Sequence, residues 1–261
     1  MATTTITLND VRNLVSLVES LDGTIPAELT SILATADAVD AWNPTAPKDV
    51  GDAFARGVPI KDAAKTLDAG LLVRERPADV QAKARYGLAT RAHNLVCGPA
   101  GDAIVANVKP AFDTACQRIA ELGKLVAPSD TVEILETADD QTIAAWRELA
   151  GLRDTLDASR ALVDALVLRF DAVAASAAGV QDIPMASYAA FYAADAEHLA
   201  PCGRALAPNA ISARAGRWHT IAPVITLNTP SRAREILDEI AAQQAEHRAR
   251  EYAATHGSLR P

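Results

Sequence analysis

Leu8, Val11, Leu14, Val15, Val18 and Leu21 recur three and four residues apart, the spacing that gathers side chains on one side of an α-helix. Asn9 or Asp10 stands where an N-cap would serve, and Gly23 marks the end. Thr24 and Pro26 then form a helix-start signal, after which Leu29, Ile32, Leu33 and Val39 carry a second apolar stripe towards Trp42. The pattern predicts a helical hairpin over residues 1–45. From Asn43 to Gly57 the prolines Pro44 and Pro47 and the glycines Gly51 and Gly57 break all periodicity, which predicts a loop and a boundary.

A short helix is expected from Pro59 to Leu72. Pro77 opens a longer one through Val80, Ala84, Leu88, Ala92 and Val96, with Gly98 as its stop. Gly98 to Gly101 reads as a tight turn, and Asp102 as the cap of the next helix. That helix holds Val105, Val108, Phe112, Cys116, Ile119 and Val126 on one face and should kink at Pro110. The short connection makes the two helices antiparallel.

The strongest periodicity follows, where Thr137 and Asp140 are spaced as a capping box and Leu149, Leu152, Leu156, Ser159, Val163, Leu166, Phe170 and Val173 alternate by three and four. Leu162, Val167 and Leu168 widen the stripe beyond a two-position seam, so a central bundle helix over about 137–178 is expected rather than a two-stranded coiled coil. Arg153 with Asp157 and Arg160 with Asp164 should sit on its solvated face. Beyond Gly179, the prolines Pro184, Pro201, Pro208 and Pro223 forbid another long helix until Thr229 and Pro230. Pro184 to Leu199 reads as helix and Trp218 to Leu227 as extended or loop. A final helix then buries Ile236, Leu237 and Ile240 and turns strongly polar after Ala245.

The fold class expected from this pattern is all-α, a multi-helix bundle with a long central helix, a Pro-rich loop-containing region and a C-terminal helix. It divides into a hairpin (1–45), a bundle core (46–179) and a Pro/Arg-rich region with the C-terminal helix (180–261), the last continuous with the core or separate from it. Composition agrees: 49% of residues are hydrophobic and only 4% aromatic, which favours Ala, Leu and Val helices over a sheet.

Charge and cysteine usage narrow the function. A net charge of −8 repels nucleic acid and anionic membranes unless positive charge is concentrated locally. The most apolar stretch, Ala161 to Val180, is interrupted by Asp164, Arg169 and Asp171, so no membrane span is expected. Cys97, Cys116 and Cys202 form no CxxC pair, and MATTTITLND has no basic-then-apolar leader, which together predict a reduced, cytoplasmic protein. Alanine richness and the excess of arginine over lysine suit a GC-rich bacterium or its phage.

No motif of catalytic or cofactor-binding specificity is present, neither HExxH, GxSxG, GxGxxG nor GxxxxGK[ST]. No cofactor is expected. His198 and Cys202, four apart, with His219, are the only weak candidates for a metal, and Pro201 between the first two argues against them. Cys97 and Cys116 fall at apolar helical positions, where a thiol is usually packing.

One asymmetry stands out. Between Glu197 and Glu235 there is no Asp or Glu, while Arg204, Arg214, Arg217, Arg232 and Arg234 are present with Trp218. This segment, with Ile236, Leu237 and Ile240 of the final helix, is the candidate interaction surface for a protein partner or a second copy. The function expected is therefore non-enzymatic binding or assembly. One alternative is a small helical enzyme using His198, Cys202 and His219. Another is a nucleic-acid regulator acting through Arg204 to Arg234, disfavoured because no helix places basic residues at groove-reading spacing.

Overall fold

A computed structural model describes residues 6–42, 77–173, 183–206 and 214–256. The expected loop from Asn43 to Gly57, the expected helix from Pro59 to Leu72 and the expected end of the central helix beyond 173 lie outside the described residues. Within them every regular element is helical. The elements are α1 (Leu8–Ser20), α2 (Ala27–Ala41), α3 (Pro77–Val96), α4 (Pro99–Leu122), α5 (Ile134–Thr137), α6 (Asp140–Leu168), α7 (Ile183–Tyr192), α8 (Leu199–Ala205), α9 (Trp218–Ile221) and α10 (Pro230–His256). A 3₁₀ turn, Ala222–Val224, continues α9. The protein is an all-α multi-helix bundle, as its periodicity predicts.

Helix ends follow local chemistry more than apolar spacing. The cap of α1 is Thr7, immediately before the apolar run: its hydroxyl accepts from the Asp10 amide at 3.3 Å, while the Asp10 carboxylate accepts from the Thr7 amide at 2.9 Å. Asp10 is thus the third helical residue and not the cap. At the other end Asp22 adopts φ 53°, and the amides of Asp22 and Gly23 donate to the carbonyls of Glu19 and Val18, the Schellman arrangement.

The connection between α3 and α4 also departs from expectation. Gly98 is the N-cap of α4 and Pro99 its first residue, so Gly98 to Gly101 is already turning into helix. Asp102 lies inside that helix, which leaves its carboxylate free for another element. Pro110, where a kink is expected, lies inside α4, which runs from Pro99 to Leu122.

The cap of α6 is Asp139, whose carboxylate accepts from the Thr142 amide at 2.8 Å, while Thr137 closes the separate short α5. The central helix ends at Leu168 and does not run on to 178, because Asp171 takes φ 48° and the Ala172 amide donates back to the Leu166 carbonyl at 2.9 Å. Leu168 consequently points outward, 58% exposed, and is not part of the widened stripe.

Helix α6 packs against α4, α1 and α7, and α1 also touches α2 and α3. Leu149, Leu156, Leu162, Val163 and Leu166 of α6 are fully buried and join Val11 and Val18 of α1, Ile104 and Phe112 of α4, Phe191 of α7 and Ile236 of α10 in one contiguous core. Ion pairs lace the outer face of α2: Arg12 with Asp37 at 2.8 Å and Arg85 with Asp40 at 2.6 Å. Such exposed pairs contribute about 0–1 kcal/mol each, so burial of the stripe and not these charges holds the helices together.

The chain after α9 is part helix and part strap. Trp218 to Ile221 is helical where an extended segment or loop is expected, and only from Ile225 does the backbone extend. There the amides of Thr226 and Asn228 donate to the carbonyls of Tyr192 and Phe191, and the Asn228 side-chain amide donates to Ala190 and Ala193 at 2.8 and 2.6 Å. The last carbonyls of α7, which have no partners within their own helix, are met by this strap. That fixes where α10 begins.

Candidate interaction surface

The arginine segment is largely consumed by the fold. Arg214 lies over the Trp146 ring with its guanidinium carbon 5.5 Å from the ring centroid, and donates to the Trp146 carbonyl. Arg217 donates to the Leu206 carbonyl at 2.8 Å; burial, together with the nearby positive charge of Arg160, pushes its pKa below the ordinary arginine value. Arg232 bridges Glu235 and Glu239 on its own helix at 3.0 and 3.3 Å. Arg234 donates to the Cys97 carbonyl at 3.0 Å and to the Ser231 hydroxyl. Arg204, in the last turn of α8, is exposed.

Trp218 is fully buried. Its ring meets Phe112 edge-on at 6.3 Å and Tyr192 at 6.1 Å, and its indole N–H donates to the Asp157 carboxylate at 2.7 Å. Asp157 therefore does more than pair with Arg153 on a solvated face, the two being 3.9 Å apart. The face of α6 expected to be free carries the aromatic centre of the C-terminal region. Ile236 and Leu237 are buried and Ile240 is half-buried, so the apolar start of α10 docks on its own body.

The base of α10 is held from outside by Asp102. Its carboxylate accepts from the Ser231 amide at 2.9 Å and from the Ser231 hydroxyl, capping α10 with a side chain 129 positions earlier in sequence. Beyond Gln244 the helix leaves the body, and every residue from Ala245 to Thr255 is exposed. At 1.5 Å per residue this free part is about 16 Å long. Two side-chain pairs run along it, Glu246 with Arg250 at 2.6 Å and His247 with Glu251 at 3.5 Å. Each adds about 0.2–0.5 kcal/mol, and a helix this short is marginal alone in water.

The three weak metal candidates are engaged separately. His198 is half-exposed and its Nδ1 lies 2.7 Å from the Asp195 carboxylate. Cys202 is buried, with its thiol directed at the Tyr192 carbonyl at 3.7 Å. His219 is buried against Gly123, where a Cβ would stand only 3.0 Å from its Nε2. Among the described residues no three His, Cys, Asp or Glu side chains form a ligand group.

His219 has a consequence for stability. Its Nδ1 is buried without a hydrogen-bond partner, and burial holds its pKa below the ordinary 6.5 against the weaker pull of Asp130. The unfolded chain thus takes up a proton that the folded chain resists, so this contribution is complete above about pH 6.5 and is lost as pH falls towards the lowered folded value. The urea midpoint should fall more between pH 7.5 and pH 5.5 in the parent protein than in His219→Gln. Equal falls would show that His219 does not titrate with folding.

One pairing was not anticipated from the sequence. His93 and Cys97, four apart at the end of α3, are in contact, with the sulfur 3.6 Å from Nδ1, 3.7 Å from Nε2 and 3.2 Å from the Phe170 carbonyl oxygen. The His-x-x-x-Cys spacing was available in the sequence, but nothing there marked that the end of α6 closes over it.

Comparison with protein-family models, with curated proteins and with solved structures finds no match. Among the described residues no helix is long and apolar enough to cross a membrane.

Proposed function

We propose that this protein is a non-enzymatic assembly protein that binds through the distal half of α10, with a second copy of the chain as the first partner to test. The observation that carries this reading is the division of one 27-residue helix into a docked base and an exposed end. The base is fixed by Asp102, by Arg234 and by burial of Ile236 and Leu237, which sets the direction of the free end. That end offers Ala242, Ala245, Ala249 and Tyr252 at spacings of three and four, against a charged opposite side. Packing against another helix would bury part of this exposed end and stabilise a helix that is marginal at this length.

The arginine segment supports the reading indirectly. Arg214, Arg217 and Arg234 serve as internal donors that place α9 and α10, which leaves the helix end and not the arginines as the contact. Removing residues 242–261 should leave the helical body and its melting temperature nearly unchanged while abolishing any concentration-dependent mass in light scattering. A full chain that stays monomeric across the accessible concentration range would overturn self-association. A truncated chain that still associates would move the interface to the body.

A further inference from the structure

We propose that α9 is a proton-operated latch: uptake of a proton by His219 releases α9 and the 3₁₀ turn behind it from the end of α4, while the body of the bundle stays folded. The imidazole is buried against Gly123, in a space that exists because residue 123 carries no side chain. Its Nδ1 is sealed from solvent and has no hydrogen-bond partner. A neutral ring with its hydrogen on Nε2 leaves only an unfilled lone pair there, whereas an imidazolium must donate from both nitrogens. The added N–H would point into protein without an acceptor, and a buried unpaired charge costs far more than a buried unpaired lone pair. The charged groups around the ring do not relieve this. Asp130, in the turn after α4, acts on it through space while its own carboxylate accepts from the Ala127 amide at 2.6 Å. Arg217, two residues earlier on the α9 side, is engaged with the Leu206 carbonyl and would repel a second cation. On the α4 side Arg118 is tied to Glu121 and Glu148, and Lys124, next to Gly123, is a further cation.

The opening is local because so little chain is involved. Helix α9 has four residues and the turn three, too few to persist as helix away from the body. Packing on α4 and burial of Trp218 and Ile221 hold them closed at neutral pH. Trp218 adjoins His219, so lifting the imidazole also draws the indole from Asp157 and from the rings of Phe112 and Tyr192. The strap beyond is anchored separately, Lys109 Nζ donating to the Thr226 hydroxyl at 2.6 Å and the Thr226 amide to the Tyr192 carbonyl, which marks where the opening stops. Release thus bares an aromatic pocket that the neutral protein keeps covered. The closed form resists the proton through burial, against the weaker pull of Asp130, whereas the open form titrates near the ordinary value of about 6.5. Opening is therefore insensitive to pH well above about 6.5 and grows as pH falls through it, by up to about tenfold between pH 7.5 and pH 5.5.

Amide hydrogen exchange of the full chain, corrected for the intrinsic dependence of exchange on pH, tests the latch. Protection of peptides covering residues 214–224 should fall by up to about tenfold from pH 7.5 to pH 5.5, while peptides from the middle of α4 and α6 keep theirs. His219→Gln and His219→Phe, one keeping a polar side chain and the other a ring, should each remove the acid response. Asp130→Asn, whose side-chain oxygen still accepts from the Ala127 amide, should enlarge it, because the charge that eases protonation of the closed form is gone. Equal protection at the two pH values in the parent chain overturns the latch. So does an acid response that survives in both His219 variants, shrinks in Asp130→Asn, or spreads evenly through α4 and α6.

Discussion

Gly101→Ala should destabilise the protein by about 3–5 kcal/mol, one of the largest effects available to a single added methyl group. A Cβ built on Gly101 would lie 2.0 Å from the Val96 carbonyl oxygen and 3.3 Å from Pro230 Cγ. The first is a backbone atom of the last residue of α3, so relief requires separating the ends of two helices joined only by Cys97 and Gly98. The second belongs to the first residue of α10, so the movement would also disturb the adjoining cap that Asp102 places on Ser231. Gly87→Ala and Gly151→Ala are the controls: both glycines lie within helices with nothing within 4 Å of the added atom. Those changes should stabilise by up to about 1 kcal/mol through lower unfolded-chain entropy and better helix propensity. Urea midpoints for the three variants, measured with unchanged slopes, check the ordering; a Gly101→Ala protein as stable as the controls would mean the α3–α4 junction yields easily.

The same junction explains why the sequence was legible in some respects and not in others. Helical periodicity located α1, α2, α3, α4, α6 and α10 because a stripe buried against a neighbour must repeat every three or four residues whatever that neighbour is. Helix ends are decided by single hydrogen bonds, and those can come from far away. Asp102 looked like the cap of its own helix and instead caps α10; Thr7, Asp139 and Asp22 took roles that equally plausible neighbours could have filled. The stretch from Trp218 to Asn228, part helix and part strap, was least legible. Its conformation answers the free carbonyls of α7 and the carboxylate of Asp157, groups brought near it only by the fold.

For the candidate surface, charge read along the chain was a poor guide to charge in space. A stretch of 37 residues without Asp or Glu suggested a positive face, yet Arg214, Arg217 and Arg234 find backbone carbonyls and an aromatic ring, and Arg232 finds the glutamates of the next two turns. Trp218 is an anchor, but for its own protein. Polarity after Ala245 was the more informative signal: a helix whose apolar stripe stops while its helical pattern continues must leave the core, and α10 does so.

Leu156→Ala should cost about 2–5 kcal/mol, since Leu156 is completely buried at the middle of the central helix. Three helices, α1, α4 and α7, pack against α6 from different sides, so the void left by the lost atoms cannot be closed by shifting one neighbour without opening a gap against another. The cost should therefore fall in the upper half of that range. Leu168→Ala removes the same atoms from the same helix at a position 58% exposed and should cost under about 1 kcal/mol. Comparing the two variants separates burial from helix propensity, because each makes the same change to an α6 residue. Adding Leu149→Ala, two turns from Leu156, should be nearly additive, within about 0.5 kcal/mol, if the voids remain separate. A double mutant that loses much less than the sum would show the core relaxing across both sites. A Leu156→Ala protein close to the parent in stability, but with altered association, would place that seam at an interface between chains.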